Sequence, residues 1–256
     1  MITSAQNAKV KLARALLGRS KERREAGAFV AEGVRLTEAA ASTGWKFRFA
    51  LYDETLNERG RELVGTLESA GVEVEMLSPG LLQALSETET SQGLLAVLEL
   101  GRLEIPPSAS FILIPDQIRD PGNLGALLRT AAAAGVQAVL IPPETADPFA
   151  PKVVRAGMGA HFSLPVHEMD WPRIHEFCSS AGLGVFLADM AGAPCWEADL
   201  RSPLALIMGG EAAGASAPAR ALAASSISIP MPGGSESLNV AAAGAVLMFE
   251  VVRQRR

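Results

Sequence analysis

Three loops rich in glycine or proline contain the side chains of this sequence that are best suited to chemistry. Each loop follows an apolar segment and presents amide, hydroxyl, carboxylate or guanidinium groups near the start of a helix. Groups of these kinds, when brought together, can orient a polar substrate and handle a proton. The segments that contain these loops span residues 115–135, 204–216 and 226–250, and the candidate catalytic residues are Asn123, Arg129, Glu211, Ser237 and Asn239.

Each candidate also has a structural interpretation. Asn123 and Ser237 are both suitable N-caps for the helices that follow them. Arg129 suits a solvated helix face, and Glu211 suits a position near a helix dipole. Three irregular loops at one sheet edge would need three separate explanations of this kind. The glycines of the second loop also indicate that a flat or bulky group approaches the backbone closely, which favours a binding site.

The common signatures of nucleotide-binding and hydrolytic enzymes are absent from the sequence. It contains no G-x-x-x-x-G-K-[ST] phosphate loop, no G-x-G-x-x-G after a first strand and no G-x-S-x-G nucleophile elbow. The two cysteines, Cys178 and Cys195, and the three scattered histidines lack the spacing of a metal site. We therefore expect neither a disulfide framework nor a bound metal.

Alternating strand and helix periodicities predict an α/β protein of two domains. Residues 1–105 are expected to form a small α/β domain, with a helix over 6–24 and a short helix over 79–86. Residues 106–256, which begin within a linker over 101–110 that contains two prolines, are expected to form a parallel sheet covered by helices, with a strand over 161–166. Ligands of such sheets bind beyond the carboxyl ends of the strands, where the three loops lie.

Composition and charge limit the class of protein. The 256 residues are 48% apolar and 20% charged, and no signal peptide or stretch of membrane-spanning length is visible. We expect a soluble, cytoplasmic protein. The net charge of −5 conceals a basic start, which suits either local contact with a polyanion or simple solubility. The candidate phosphate contacts in this segment are Lys9, Lys11, Arg14, Arg19, Lys21, Arg23 and Arg24.

The three loops, taken together and in order, resemble the motifs of the SpoU-type (TrmH-like) RNA ribose 2′-O-methyltransferases of the SPOUT superfamily. The matching residues are Asn123, Gly125 and Arg129; Gly209-Gly210-Glu211-Ala212-Ala213-Gly214; and Ile229-Pro230-Met231 with Ser237-Leu238-Asn239-Val240. Gly210 departs from the family, which usually has Asn there. The segments FVAEGVRLTEAA and TSQGLLAV are more weakly similar to the small substrate-binding domain that often precedes this catalytic domain.

The resemblance implies a parallel-sheet SPOUT domain with a C-terminal trefoil knot, preceded by a small α/β substrate-binding domain. It also implies that S-adenosylmethionine binds without a metal in a pocket floored by the third loop. The residues implied in cofactor binding are Leu206, Met208, Gly209, Gly214, Ile229, Met231 and Leu238. The basic residues of the first segment would then contact RNA.

The family further implies that Arg129 activates the ribose hydroxyl, with Asn123 beside it and with Glu211, Ser237 and Asn239 completing the site. A guanidinium group stays protonated, so orienting the nucleotide and stabilising developing alkoxide charge is the physically simpler role for Arg129. Family members act as homodimers in which this arginine reaches the partner's cofactor. The apolar last helix is either that dimer interface or an internal core helix.

The leading hypothesis is therefore methyl transfer from S-adenosylmethionine to a ribose 2′-hydroxyl in RNA, with ribosomal RNA favoured over transfer RNA. One alternative is a tRNA 2′-O-methyltransferase. Another is a non-catalytic RNA-binding or ribosome-assembly protein that has the same fold. A metabolic enzyme with an ordinary doubly wound sheet explains neither the basic first segment nor the three ordered motifs.

Overall fold

The computed structural model describes residues 1–86, 92–101, 103–210, 214–234 and 236–256. The helices are α1 (Ala8–Gly18), α2 (Ser20–Ala26), α3 (Val34–Ser42), α4 (Glu58–Ser69), α5 (Pro121–Ala133), α6 (Pro151–Gly157), α7 (Trp171–Ser180), α8 (Ala217–Leu222) and α9 (Val240–Gln254). The strands are β1 (Ala28–Glu32), β2 (Phe47–Tyr52), β3 (Val74–Met76), β4 (Leu94–Glu99), β5 (Phe111–Pro115), β6 (Ala138–Ile141), β7 (Val166–Glu168), β8 (Gly184–Pro194), β9 (Leu204–Met208) and β10 (Ser225–Ser228).

The chain forms two compact units. The first comprises Met1–Gly101 and Phe149–Phe162, and the second comprises Arg102–Pro148 and Ser163–Arg256. The sequence predicts one boundary near residue 105, which would assign all of 149–162 to the second domain. In the structure this segment packs in the first unit, because Phe149 and Phe162 join the aromatic side chains around Phe29.

The first unit is built on a four-stranded sheet with the order β1-β4-β2-β3. β4 runs antiparallel to both β1 and β2, whereas β3 is parallel to β2. Alternate residues of these strands face opposite sides, and each side is covered by its own apolar cluster. The small α/β domain predicted from the sequence is therefore present.

The predicted helix over 6–24 is two helices, because the chain is extended at Arg19. The buried side chain of Arg23 lies against the end of α1, and its Nη1 donates to the carbonyl oxygens of Leu16 at 2.6 Å and Gly18 at 3.2 Å. Carbonyls in the last turn of a helix have no partner within the helix, so Arg23 satisfies groups that would otherwise be left over. Its predicted role as a phosphate contact is corrected, since the guanidinium is inside the protein.

Two other predicted elements are wrong. Residues 79–86 form consecutive turns rather than a helix. The predicted strand over 161–166 begins as the 3₁₀ helix Ala160–Phe162, and β7 starts only at Val166. The alternation of apolar residues that suggested a strand there reflects burial of Phe162 in the first unit.

The second unit contains a six-stranded sheet with the order β10-β8-β9-β5-β6-β7, in which every neighbouring pair is parallel. Residues of α7 and α8 share an apolar cluster with one face of this sheet. On the other face α9 packs against α5, where Gly244 leaves room for Leu127: a Cβ at position 244 would lie 2.4 Å from Leu127 Cδ2. The predicted parallel α/β architecture is confirmed, whereas the trefoil knot stays a prediction.

The end of α9 is fixed by hydrogen bonds to the loop before β9 and to the residue before β5. Gln254 accepts from the Leu200 amide at 3.0 Å, and Arg255 Nη2 donates to the carbonyls of Ser202 at 2.7 Å and Ser110 at 3.0 Å. No helix in the described residues is both long and apolar enough to cross a membrane.

We expect Arg23→Ala to lower the free energy of unfolding by about 1.5–3 kcal/mol, the range for hydrogen bonds to a charged group. Urea denaturation measures this loss as a lower midpoint at an unchanged slope. Arg14→Ala is the matched control, because Arg14 is exposed on α1 and its removal should change the free energy by no more than about 0.5 kcal/mol. Equal effects of the two substitutions would contradict the structural role of Arg23.

Candidate functional site

A cavity of about 520 Å³ lies at the carboxyl ends of β8, β9 and β10 in the second unit. Its wall is formed by the ends of these strands, the glycine loop after β9 and the start of α9. Six of the seven residues predicted to bind a cofactor line it: Met208, Gly209, Gly214, Ile229, Met231 and Leu238. Leu206 does not, since its side chain is buried within β9.

The glycines of the second loop let the protein backbone fold onto itself. A Cβ at Gly209 would lie 2.8 Å from the amide nitrogen of Ala215, and Gly214 has a left-handed φ of 66°. The Gly214 amide donates to the Gly210 carbonyl at 3.1 Å, which closes the loop. The sequence predicted that a flat or bulky group approaches the backbone of these glycines. At Gly209 the group that approaches closely is the backbone of Ala215.

Gly210, the position that departs from the family pattern, contacts the loop after β5. A Cβ at this position would lie 2.7 Å from the carbonyl oxygen of Gln117, which is too close for any side chain. Gln117 has an unusual left-handed φ of 55°, and its amide donates to Thr145 Oγ1 at 3.0 Å. Because a backbone carbonyl oxygen occupies this space, the asparagine that the family usually has does not fit here without a shift of the backbone.

A second connection between the same two loops is made by Asp116, which is fully buried. Its Oδ2 accepts from the amide of Ser216 at 2.6 Å, and its own amide donates to the Met208 carbonyl at 2.8 Å. Ser216 is the N-cap of α8, so Asp116 fixes the point at which the glycine loop ends. Sequence analysis did not identify Asp116, although it directly follows an apolar strand.

The asparagines of the first and third motifs meet at the start of α9. Asn239 Nδ2 donates to Asn123 Oδ1 at 3.0 Å, and Asn239 also lines the cavity. The N-cap of α5 is Asp120, which accepts from the Asn123 amide at 2.8 Å. The interpretation of Asn123 as a cap is therefore wrong. Ser237 is not the cap of α9 either, because Asn239 accepts from the first amides of that helix.

The remaining candidate catalytic residues are placed differently. Ser237 is exposed and lines the cavity. Arg129 is exposed on α5 but is not part of the cavity wall. Glu211 lies outside the residues that the structure describes.

An ion pair that sequence analysis missed also lines the cavity. Asp189 Oδ2 accepts from Arg220 Nη1 at 2.8 Å, and Asp189 Oδ1 accepts from the Ala191 amide at 3.0 Å. These two bonds hold the pKa of Asp189 below its ordinary value, with the Ala191 amide as the larger cause. The position of Asp189 after an apolar strand was an available signal, whereas the alanine-rich surroundings of Arg220 gave none.

The cysteines do not contribute reactive groups. Burial raises the pKa of the Cys178 thiol to about 11, and burial with the nearby Glu250 carboxylate raises that of Cys195. A thiol with a raised pKa is a poor nucleophile near neutral pH. Among the described residues, no group of three His, Cys, Asp or Glu side chains is arranged to hold a metal ion.

The predicted phosphate contacts lie in the first unit and differ in exposure. Lys9 is paired with Glu73 and Glu75, and Arg23 is buried. The other five side chains are exposed: Lys11, Arg14, Arg19, Lys21 and Arg24.

Comparison with known proteins covers both parts of the chain. Residues 110–249, more than half of its length, match the model of the SpoU rRNA Methylase family, and residues 7–96 match that of the MRM3-like substrate binding domain. The chain belongs to the SpoU rRNA methylase family.

Individual relatives cover almost the whole chain. The 23S rRNA (guanosine(2553)-2'-O)-methyltransferase RlmP of Bacillus subtilis is 36% identical over 98% of each protein. The structure of the SpoU methyltransferase AviRb from Streptomyces viridochromogenes, in complex with AdoMet, has a TM-score of 0.87 at 31% identity and covers 97% of this chain and 99% of its own. An rRNA methyltransferase structure from Sinorhizobium meliloti has the same TM-score at 30% identity, with 98% and 96% covered. The family predicted from the three motifs is therefore confirmed.

Restoring the asparagine typical of the SpoU family should destabilise this particular member. We expect Gly210→Asn to cost about 1–3 kcal/mol of unfolding free energy, because the new side chain overpacks against the Gln117 carbonyl. Gly233→Asn is the control, since a Cβ at position 233 has no atom within 4 Å. Urea denaturation of both variants decides the matter, and a Gly210→Asn protein as stable as Gly233→Asn would contradict the assignment.

Proposed function

We propose that this SpoU family member transfers a methyl group from S-adenosylmethionine to a ribose 2′-hydroxyl of ribosomal RNA. The observation that carries the proposal is the hydrogen bond between Asn123 and Asn239 at the edge of the cavity, where the first and third motifs meet. The names of the relatives support the same reaction: RlmP is a 23S rRNA 2′-O-methyltransferase, and AviRb was crystallised with AdoMet.

The cavity fits the proposed cofactor in size and in chemistry. Its volume of about 520 Å³ is within the range of small-molecule sites. Backbone groups of Met208, Gly209, Ile229, Met231 and Leu238 would hold the adenosine and methionine parts. S-adenosylmethionine supplies a methyl group on a positively charged sulfur. This wall offers apolar side chains and backbone polar groups for the neutral parts of such a molecule.

The polar residues at the cavity edge would act on the ribose. The Asn239 amide, held by its bond to Asn123, is positioned to orient a hydroxyl, and Ser237 adds a second hydrogen-bonding group. Positioning of this kind converts a bimolecular reaction into an effectively intramolecular one. Glu211 remains a candidate for the same site.

Arg129 would enter the site from a second copy of the chain. It is six residues beyond Asn123 on α5, so the two side chains lie about 120° apart around the helix. Asn123 contacts the cavity-lining Asn239, whereas Arg129 is exposed and does not line the cavity. A homodimer in which Arg129 reaches the partner's cavity accounts for this separation. The exposed apolar side chains of α9, Val246 and Phe249, suit such an interface.

The exposed cations of α1 and α2 would contact the phosphates of the RNA. Ribosomal RNA is favoured over transfer RNA because RlmP and a 23S rRNA 2′-O-methyltransferase of Streptomyces viridochromogenes match this chain along nearly its whole length. Action on ribosomal RNA would also place the enzyme in the cytoplasm.

The reaction is tested with labelled S-adenosylmethionine and ribosomal particles from cells that lack the protein. We expect label in ribosomal RNA at a ribose that resists alkaline cleavage, with the nucleotide identified by mass spectrometry. Asn239→Asp should keep the helix cap, since Asp caps as well as Asn, and so change stability by no more than about 0.5 kcal/mol. It should reduce methyl transfer at least tenfold, because a carboxylate cannot donate to Asn123 or to a ribose oxygen, and it bonds Asn123 only if the Asn123 amide turns over to donate instead.

Label in transfer RNA instead would support the tRNA alternative. Binding of RNA without any transfer would support the non-catalytic one. Full activity of Asn239→Asp would remove the bond to Asn123 from the mechanism.

The shared site is tested by mixing two inactive variants, Arg129→Ala and Asn239→Asp, with exchange of subunits. In a mixed dimer one site combines an intact Arg129 from one chain with an intact Asn239 from the other. Activity should return to about a quarter of the wild-type value, because half of the dimers are mixed and each has one complete site. If each chain uses its own Arg129, both sites of the mixed dimer are defective and the mixture stays inactive.

A further inference from the structure

The cavity wall contains charge that the three family motifs do not supply. Among the described lining residues, the charged side chains are Asp189 in the middle of β8 and Arg220 on α8. The Asp189 side chain is 23% exposed and that of Arg220 is 52% exposed, so both are accessible from the cavity while they bond each other.

A local irregularity of the sheet directs Asp189 into the cavity. The ladder between β8 and β9 ends at the pair Ala188–Met208, so Asp189 is the first residue beyond it. On the other side, the pairing with β10 jumps from Leu187 to Ala193, which leaves five residues of β8 to bulge outward. Bulges of this kind re-aim a side chain and are common beside binding sites.

The bulge depends on a glycine at its far end. A Cβ at Gly192 would lie 2.5 Å from the backbone nitrogen of Ile227, so a side chain at this position would prevent β8 from returning to β10. The irregular pairing of β8 with β10 thus places the Asp189 carboxylate in the cavity.

The state of this carboxylate limits which ligand group it can receive. Asp189 accepts hydrogen bonds from Arg220 and from the Ala191 amide, whereas a carboxylate has about four lone-pair positions. Two positions therefore remain for further donors. Since the same bonds lower its pKa, Asp189 stays ionised at neutral pH and acts purely as an acceptor.

Charged ligand groups suit this pair poorly. An ammonium group bound to Asp189 would lie close to the Arg220 guanidinium, which repels it. A carboxylate bound to Arg220 would meet the same repulsion from Asp189. A neutral group with two adjacent hydroxyl donors is repelled by neither Asp189 nor Arg220. In other nucleotide-binding sites built on parallel sheets, an acidic side chain accepts hydrogen bonds from ribose hydroxyls.

We propose that Asp189 accepts hydrogen bonds from the ribose hydroxyls of the cofactor's adenosine, and that Arg220 is a positioning residue that holds Asp189 in place. This inference rests on the proposed function, which supplies the adenosine. It assigns recognition of the cofactor's own sugar to a pair outside the three motifs.

Calorimetry with two ligands measures this contact. The ligands are S-adenosylhomocysteine and its 2′,3′-dideoxy counterpart, which lacks both hydroxyls. Wild-type protein should bind the dideoxy ligand about 10- to 100-fold more weakly, as expected for hydrogen bonds to a charged acceptor. In Asp189→Ala the affinities for the two ligands should differ by no more than about twofold, because the side chain that bonds the sugar hydroxyls is gone. If the alanine variant does not fold, Asp189→Leu provides the same comparison, because a leucine side chain is similar in size to Asp and has no acceptor.

Asp199→Ala is the matched control. Asp199 also pairs with an arginine, Arg201, at 2.8 Å, but it is exposed and does not line the cavity. This variant should retain the full difference between the two ligands. An unchanged difference in the Asp189 variants would overturn the proposal.

The role of Arg220 is tested with 5′-methylthioadenosine, which lacks the amino-acid part of the cofactor. Arg220→Ala should weaken the binding of 5′-methylthioadenosine and S-adenosylhomocysteine by the same factor, because its effect passes through Asp189. Weakening of S-adenosylhomocysteine alone would show that the pair recognises the amino-acid part, which overturns the proposal.

The outcomes separate this inference from the proposed function. Wild-type protein that binds S-adenosylhomocysteine and its dideoxy counterpart equally would overturn the assignment of Asp189 and leave the cofactor in place. Wild-type protein that binds neither would overturn the proposed cofactor, and the inference would fall with it.

Discussion

The cavity depends on the close approach of two loops at the centre of the parallel sheet. The loop after β9 folds back so tightly that Gly209 and Gly210 have no room for a Cβ against Ala215 and Gln117. The buried Asp116 fixes the same loop through the amide of Ser216. The two glycine contacts join backbone to backbone, and Asp116 adds one buried side chain, so the shape of the cavity is set before any ligand contributes. A wall made in this way tolerates changes in side chains better than changes in glycine.

One polar residue at the cavity, Asn239, contributes both to the fold and to the site. Asn239 caps α9 and also bonds Asn123, so the residue that starts the last helix is positioned by the helix that follows β5. Asp120 takes over the capping of α5, which leaves the Asn123 side chain available to Asn239. Capping a helix and lining the cavity are therefore compatible roles for one side chain, that of Asn239.

The sequence predicted what depends on local pattern and failed where distant contacts decide. Strand and helix periodicity identified the parallel sheet, and the ordered motifs identified the family. The break at Arg19 was not predictable from periodicity, because it depends on where the Arg23 side chain goes after the next turn. Asp189 was missed for a related reason: the jump in pairing between β8 and β10 is a property of two strands far apart in sequence.

The path of the chain between its two units has a consequence for exchanging parts among related enzymes. The backbone crosses the boundary three times, because the segment Phe149–Phe162 returns to the first unit. A chimaera joined once near residue 102 would combine the Phe29 surface of one parent with the Phe149 and Phe162 side chains of another. The part that must be exchanged as a whole is therefore discontinuous in sequence. A chimaera that keeps the aromatic cluster intact has to take Met1–Gly101 and Phe149–Phe162 from the same parent.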